Sequence, residues 1–408
     1  MDRIFKKFKN LEVWEKNLAV LWVGALLTCA SYTMVIPFLP IYLLQELNVP
    51  KGDVNFWSGV TFSITFFFGM VMAPYWGAKA DKYGRKSMIM RAGISLGIVY
   101  IFSGLVRNEY ELLIVRACHG IVSGFIPGSL SLLASTLPKD RSGWGLGLMQ
   151  AGIAAGTIMG PLFGATLAEI FGMRGSFIIA GINIMFATLA VKYWVYEEVI
   201  PRANNKKSSF AADISIAFHN KALLHMLIMF VVVQSCSLLL QPLITLHVGN
   251  LMGGNISGAV FASGVVFSLA GVSGVLASTY WGTLGSKRGY LPILLLVLFG
   301  AGFTISLQAF VSNIWLFGAI QFIYGLFIAG TAPSINATIV DNTRAGFRGR
   351  AFGLATSFQQ MGSMLGPLLG GAIGSFLEIK YVFIVAGIML LAAAWSIRER
   401  SWGLKNDI

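Results

Sequence analysis

Charge is scarce in this chain. Only 12% of its 408 residues are Asp, Glu, Lys or Arg, against 56% hydrophobic, whereas a soluble protein carries about a quarter charged residues. That shortage excludes a water-soluble globular protein. Cysteine is nearly absent as well. Cys29, Cys118 and Cys236 all fall in apolar stretches, so neither a disulfide framework nor a cysteine-built metal site is expected. The histidines (His119, His219, His225 and His247) form no cluster at metal-ligand spacing, and no Ser-His-Asp grouping or phosphate-cradling loop stands out. These gaps argue against an enzyme and against a bound cofactor or metal. Acids number 17, and none occupies the middle of an apolar run; Asp341, Glu169 and Glu111 come closest.

What the chain has instead is apolar length. Runs of about 18 residues or more, enough to cross a hydrocarbon core about 30 Å thick as a helix, recur along it. Twelve are read, at 17–44, 56–78, 87–106, 111–137, 143–170, 175–197, 222–249, 258–283, 290–312, 314–340, 349–376 and 380–397. The expected class is an all-α integral membrane protein with twelve transmembrane helices. The first run is too long for the core of a cleaved signal peptide. The net charge of +13 is not spread evenly. Lys and Arg gather in alternate loops, at the N-terminus, Lys79–Arg91, the central loop, Lys287–Arg288, Arg344–Arg350 and the C-terminus, while Lys51, Arg107, Arg174 and Lys380 fall on the other side. That is the positive-inside pattern, and it places both termini in the cytoplasm of a multi-pass cell-membrane protein. It also argues against nucleic acid as a partner.

The chain repeats itself. At an offset of 205 residues Pro37 matches Pro242, Tyr75-Trp76-Gly77 matches Tyr280-Trp281-Gly282, Gly84 matches Gly289 and Gly120 matches Gly325. At 206, Gly147 matches Gly353 and Gly160-Pro161 matches Gly366-Pro367. Six spans precede a polar linker and six follow it, so the copies enter the membrane in one orientation, a known transporter plan with the site between the halves. The expected division is a six-helix bundle over 1–198, a cytoplasmic linker over 199–221 and a second, pseudo-symmetric six-helix bundle over 222–408. Within the linker FAADISIAFHN reads either as a short amphipathic helix on the membrane surface or as a tether.

Four groups of residues carry chemistry. In PYWGAKADKYGRKS, Gly77, Asp81, Gly84, Arg85 and Lys86 fall in a loop of about eight residues between spans 2 and 3, tight enough that Gly84 takes a backbone conformation other residues avoid. Asp81 among cations can accept charge-assisted hydrogen bonds or cap a helix N-terminus, unless it is simply solvated. Gly152, Gly156, Gly160 and Gly164 recur every fourth residue in span 5, as do Gly362, Gly366, Gly370 and Gly374 in span 11. Such a stripe lets helix backbones approach closely, as a static contact or a sliding seam, and Pro161 and Pro367 invite bends. Arg116 sits inside span 4, where charge costs about 2.5–3.5 kcal/mol and marks function unless the side chain snorkels outward. His119 lies one turn further on. The interior polar set includes Tyr32, Gln150, Gln234, Gln241, Tyr324, Asn336 and Gln359, with Phe38, Phe125, Phe261 and Phe358 as aromatic surface and Met34 as pliable surface. A cavity so lined would take bulky apolar molecules, cations among them.

GAKADKYGRK resembles the loop 2–3 motif of the major facilitator superfamily. LLIVRACHG resembles its span 4 motif, with His119 where glutamine is common. GIAAGTIMGPLFG resembles the span 5 antiporter motif, and MVIPFLPIYL the span 1 pattern, which together place the likeness in the twelve-span drug:proton antiporter branch. Among members the chain is most similar to bacterial multidrug pumps that expel fluoroquinolones and dyes. The resemblance implies a monomer that binds drug-like molecules centrally and exports them by alternating access, driven by inward proton flow without a cofactor. Asp81 and Arg85 would gate, Arg116 would assist proton coupling, and Gly156, Gly160 and Pro161 would form the moving seam. Many such antiporters carry a mid-membrane carboxylate, which this chain lacks, so coupling is expected near Arg116, His119 or Asp81. Export of a lipid, glycolipid or sugar-type substrate is the alternative.

Overall fold

The computed structural model describes residues 11–138, 141–197, 219–254, 256–344 and 347–406. Among these every regular element is helical. The helices are α1 (Val13–Thr33), α2 (Leu39–Gln45), α3 (Val54–Tyr83), α4 (Arg85–Leu105), α5 (Glu109–Val122), α6 (Phe125–Thr136), α7 (Ser142–Trp194), α8 (Lys221–Leu239), α9 (Ile244–Leu251), α10 (Ile256–Arg288), α11 (Tyr290–Gln308), α12 (Ile314–Ile328), α13 (Thr331–Asp341), α14 (Arg348–Phe376) and α15 (Ile379–Asn406). Most of the linker, including most of FAADISIAFHN, lies outside the described residues.

Among the described residues ten stretches are long and apolar enough to cross a membrane. One of them, α7, has 53 residues, which as a single straight helix would reach about 80 Å, well over twice a hydrocarbon core. It holds two spans, divided at Gly172, where φ is 73° and ψ 165°. The less apolar α14, 29 residues long, completes the twelve. Spans expected as continuous are interrupted at four places. Span 1 breaks between α1 and α2 around Pro37, and span 7 between α8 and α9 around Pro242. Span 4 breaks at Ser123 and Gly124, where φ of Gly124 is 137°, and span 10 at Ala329 and Gly330.

The expected eight-residue loop between spans 2 and 3 is corrected to one residue. α3 continues as helix to Tyr83 and α4 begins at Arg85, so Gly77 and Asp81 are helical and Gly84 alone makes the turn. Its φ of 90° and ψ of 146° lie where a side chain is strained, which is why one glycine can do what a loop was expected to do. Gly289, 205 residues on, has φ 89° and ψ 145°. The helix caps repeat as well. Asn108 Oδ1 accepts from Glu111 N at 2.8 Å, and Asn313 Oδ1 from Trp315 N at 2.8 Å, each satisfying an amide left over at a helix start.

Packing divides the chain into two compact units. The first holds Met1–Phe38 and Phe68–Asn205, the second Leu39–Phe67 and Lys206–Ile408. Division at the linker alone would leave Leu39–Phe67 with the first half; packing places them in the second unit. There Gly59 lies against the backbone of Pro367 and Gly371, and Asn55 Nδ2 donates to Gly374 O at 2.6 Å. Glycine facing glycine allows that closeness. The core of the second unit runs through Leu227, Phe230, Leu239, Leu294, Leu298, Phe317 and Phe383. In the first unit Leu21, Ile89, Leu112, Leu132, Phe177 and Ile184 are fully buried.

Candidate functional site

The glycine stripes are seams. In the first unit a side chain at Gly152 would strike Trp22, at Gly156 the Leu26 carbonyl, at Gly160 the Ala30 carbonyl and Thr33 Oγ1, and at Gly164 the Met34 carbonyl. The span 5 part of α7 therefore lies backbone to backbone along α1. In the second unit Gly362, Gly366 and Gly370 meet the carbonyls of Val231, Ser235 and Leu239 on α8, each 205 residues beyond its counterpart on α1. Pro161 and Pro367 each sit inside the seam helix. Hydroxyls cross both seams, Thr33 Oγ1 to Gly156 O at 3.5 Å and Ser235 Oγ to Gly362 O at 3.2 Å.

Arg116 and His119 form the centre of a buried nest in the first unit, at 4% and 5% exposure. They lie three residues apart on α5, so they share a face. The His119 ring stands edge-on to Tyr100, with centroids 5.2 Å apart, and to Tyr32 at 5.8 Å. The Arg116 guanidinium carbon is 5.5 Å from the centroid of Phe177, whose ring meets Phe38 edge-on at 5.3 Å. Arg116 therefore does not snorkel; it stays inside, over the Phe177 ring. Sequence reading found Tyr32, Phe38, Arg116 and His119 but missed Tyr100 and Phe177. Nothing about an aromatic in an apolar helix distinguishes a nest wall from ordinary core.

The second unit answers this nest with neutral groups. Gln321 stands 205 residues beyond Arg116 and Tyr324 the same distance beyond His119, while Phe383 lies 206 beyond Phe177. Gln321 Oε1 accepts from Gln308 Nε2 at 2.8 Å, and both side chains are buried. His247, on α9, lies with its ring 5.2 Å from Phe317 and 5.0 Å from Phe383.

The loop 2–3 region holds a cap that sequence reading did not assign. Glu197 Oε1 accepts from Arg85 N at 2.8 Å and Oε2 from Lys86 N at 2.7 Å, placing a carboxylate on the N-terminus of α4, where the helix dipole favours it. The preceding residue is tied to α1, with Asn17 Nδ2 donating to Tyr196 O at 2.7 Å and Tyr196 N to Asn17 Oδ1 at 2.8 Å. Arg85 Nη1 donates to Ser131 O at 2.7 Å and Lys86 Nζ to Lys192 O at 2.9 Å. Asp81 and Gly77 are exposed on the last turns of α3. Nearby, Trp76 Nε1 donates to Ile121 O at 2.6 Å, and Arg91, stacked on Trp76 at 3.5 Å, donates to Val122 O at 3.0 Å. Together they hold the break in span 4. Trp281 Nε1 makes the repeated bond to Leu326 O at 2.7 Å.

The other residues expected to line a cavity fall on both units. In the first, Met34 and Phe125 are fully packed, Phe125 against Gly24, and Gln150 is exposed. In the second, Gln234 borders the seam at Gly362, Gln241 lies in the turn between α8 and α9, and Phe261 is exposed. Asn336, Phe358 and Gln359 are half-buried, and Tyr324 is buried.

Comparison with known proteins gives the same picture. The family described as the Major Facilitator Superfamily matches residues 21–305 and 263–401. The chain is 33% identical over 385 residues to "Multidrug resistance protein MdtG" of Salmonella heidelberg (strain SL476), covering 94% of this chain and 95% of the relative. To the protein of that name from Citrobacter koseri it is 33% identical over 384 residues, 94% of each. Among solved structures, a bacterial homolog to the human lysosomal transporter Spinster, in an inward-facing and occupied conformation, aligns with a TM-score of 0.79 at 15% identity, covering 96% of this chain and 98% of that one. The nucleoside transporter NupG aligns at 0.77 and 12%, covering 94% and 98%. At such identities these two speak for the fold alone.

Proposed function

The chain belongs to the Major Facilitator Superfamily, and from that premise we propose that it is a secondary active multidrug efflux transporter of the cell membrane, exporting amphipathic and hydrophobic molecules by proton antiport. The observation that carries the reading is 33% identity across 94% of the chain to proteins named for multidrug resistance. The repeated seams support the mechanism. Two backbones in contact through glycine offer little side-chain interlock, so α7 on α1 and α14 on α8 can slide or bend at Pro161 and Pro367 as access alternates. The termini lie in the cytoplasm, by the distribution of Lys and Arg, and the chain acts as a monomer.

Each charged group has a part. Asp81, Arg85 and Lys86, with Gly77 and Gly84, form the gate at the end of spans 2 and 3, and Glu197 anchors it. Arg116 is a fixed cation beside His119; in a dry site two positive charges one turn apart are costly, so a proton gained there drives rearrangement. Tyr32 and Phe38 in the first unit, and Gln234, Tyr324, Asn336, Phe358 and Gln359 in the second, offer stacking and neutral hydrogen bonds to substrate.

The test is flux of a cationic dye, ethidium, into liposomes holding the purified protein under an imposed pH gradient. Wild type concentrates the dye only with the gradient, and Asp81→Asn and Arg116→Ala each reduce that flux by about tenfold or more while inserting normally. Dye flux indifferent to the gradient overturns proton antiport. No dye flux, with scrambling of a fluorescent lipid instead, favours the lipid-export reading.

A further inference from the structure

Proton antiport needs a titratable group that can be sealed from water and reopened. Among the described residues no Asp, Glu or Lys belongs to the buried side chains; the buried candidates are Arg116, His119 and His247, besides tyrosine and cysteine. Arginine does not titrate in proteins, and ordinary cysteine, at about 8.5, and tyrosine, at about 10, titrate above the working range. Two imidazoles remain, and their surroundings differ. His119 shares its nest with the Arg116 cation. His247 has no such neighbour: its ring stands 5.2 Å from Phe317 and 5.0 Å from Phe383, it is 9% exposed, and its Nε2 is buried without a hydrogen-bond partner.

From this we infer that His247 is a second proton-binding site, placed in the second unit. The inference rests on the proton-antiport reading for its role but not for its chemistry. With the ring hydrogen on Nδ1, the Nε2 lone pair takes a proton and gives an imidazolium. Two phenyl rings with centroids within about 6 Å, tilted by 53° and 52° to the imidazole, are near enough to favour that charge, and the same proton leaves when water reaches Nε2. The elements packed on α9 bring little charge toward it. α2 carries Tyr42, α10 only Tyr280, Lys287 and Arg288 in its last turns, and α12 Tyr324. At its outset α15 carries Lys380 and Tyr381; Lys380 is paired at 2.6 Å with Glu378, both exposed. His247 thus supplies on the second unit what a mid-membrane carboxylate supplies elsewhere, with a charge of opposite sign when loaded.

Two measurements test this. The first is ¹⁵N NMR of full-length protein labelled at histidine, comparing wild type with His247→Gln to identify the His247 signals. The expected result is a His247 signal that shifts with pH between about 5 and 8, the range in which imidazoles exchange protons. A His247 signal that stays neutral throughout overturns the proposal. The second is gradient-driven ethidium flux in liposomes. His247→Gln should lose about tenfold or more while downhill dye exchange, which reports folding, stays within about twofold of wild type. His225→Gln serves as control, since His225 is hydrogen-bonded to Ser396 Oγ at 3.1 Å, and it should leave both fluxes unchanged. Retained gradient-driven flux in His247→Gln overturns the transport role. Wild-type flux that ignores the gradient defeats antiport itself, and the NMR titration then decides the proton site alone.

Discussion

The Arg116 nest and its counterpart around Gln321 share a backbone plan and differ in charge. Both place a polar residue and an aromatic-ringed residue three apart on a helix started by an asparagine cap. In the first unit the polar residue is a buried cation beside an imidazole; in the second it is a neutral amide bonded to Gln308. Duplication kept what packing requires and released what charge allows. A buried arginine must be worth its insertion cost, whereas a glutamine pair is self-satisfied on one side and leaves only Gln308 Oε1 without a partner. Among the described residues the first unit thus buries an arginine and a histidine, and the second buries a neutral amide pair and one histidine, His247.

The largest expected effect lies where the units are alike. Gly160→Leu and Gly366→Leu each drive a side chain into a carbonyl of the neighbouring helix, which neither backbone can yield without losing the seam. Overpacking alone costs about 1–3 kcal/mol, and under the proposed mechanism it also wedges a contact that slides. Both variants should reduce dye flux to background while still reaching the membrane. If one transported normally, the seams would not be equivalent.

Exchange of the central residues comes next. Arg116→Gln makes the first unit like the second and should cut gradient-driven flux by about tenfold or more, with little loss of thermal stability. Gln321→Arg makes the second like the first without the nest that holds a guanidinium. It strips Gln308 of its acceptor and should lower yield and Tm, in line with about 2.5–3.5 kcal/mol for an arginine placed at a helix centre. A stable, active Gln321→Arg protein would mean that the second unit tolerates charge as well as the first.

What could be read from sequence was whatever repeats or obeys a period. The spans followed from apolar length, the seams from glycine at every fourth position, and the turn at Gly84 from the shortness of the segment joining spans 2 and 3. What could not be read depended on distant residues meeting. The cap on α4 comes from Glu197, more than a hundred positions away, and no local pattern ties it to Arg85. Asp81, near in sequence, could be read as a hydrogen-bond acceptor, a cap or a solvated charge, and nothing local pointed to Glu197 instead. The breaks in spans 4 and 10 have the same origin. Apolar composition runs straight through them, and side chains from other helices, Trp76, Arg91 and Trp281, satisfy the carbonyls that each break exposes.

Glu197 tests that point with a smaller effect. Glu197→Ala leaves Arg85 N and Lys86 N without their acceptor, and loss of a helix cap costs about 0.5–2 kcal/mol. Glu197→Gln keeps one oxygen and should lose less. Thermal unfolding of purified protein should rank wild type above Gln and Gln above Ala. Equal Tm values would show that water replaces the carboxylate at no cost.

The smallest effect separates the two tryptophans. Trp76→Phe and Trp281→Phe each remove one donor from a carbonyl beside a helix break, a loss of about 1 kcal/mol for a single hydrogen bond. In the first unit Arg91 remains, donating to Val122 O and able to stack on the new ring. In the second, the position 205 residues beyond Arg91 is Leu296, which donates nothing, and Trp281 is also stacked on Phe327 with centroids 6.2 Å apart. Trp281→Phe should therefore lower Tm by more than Trp76→Phe. Adding Arg91→Leu to Trp76→Phe should narrow that gap to whatever the Trp281–Phe327 stack contributes, because it removes from the first unit the one brace the second never had.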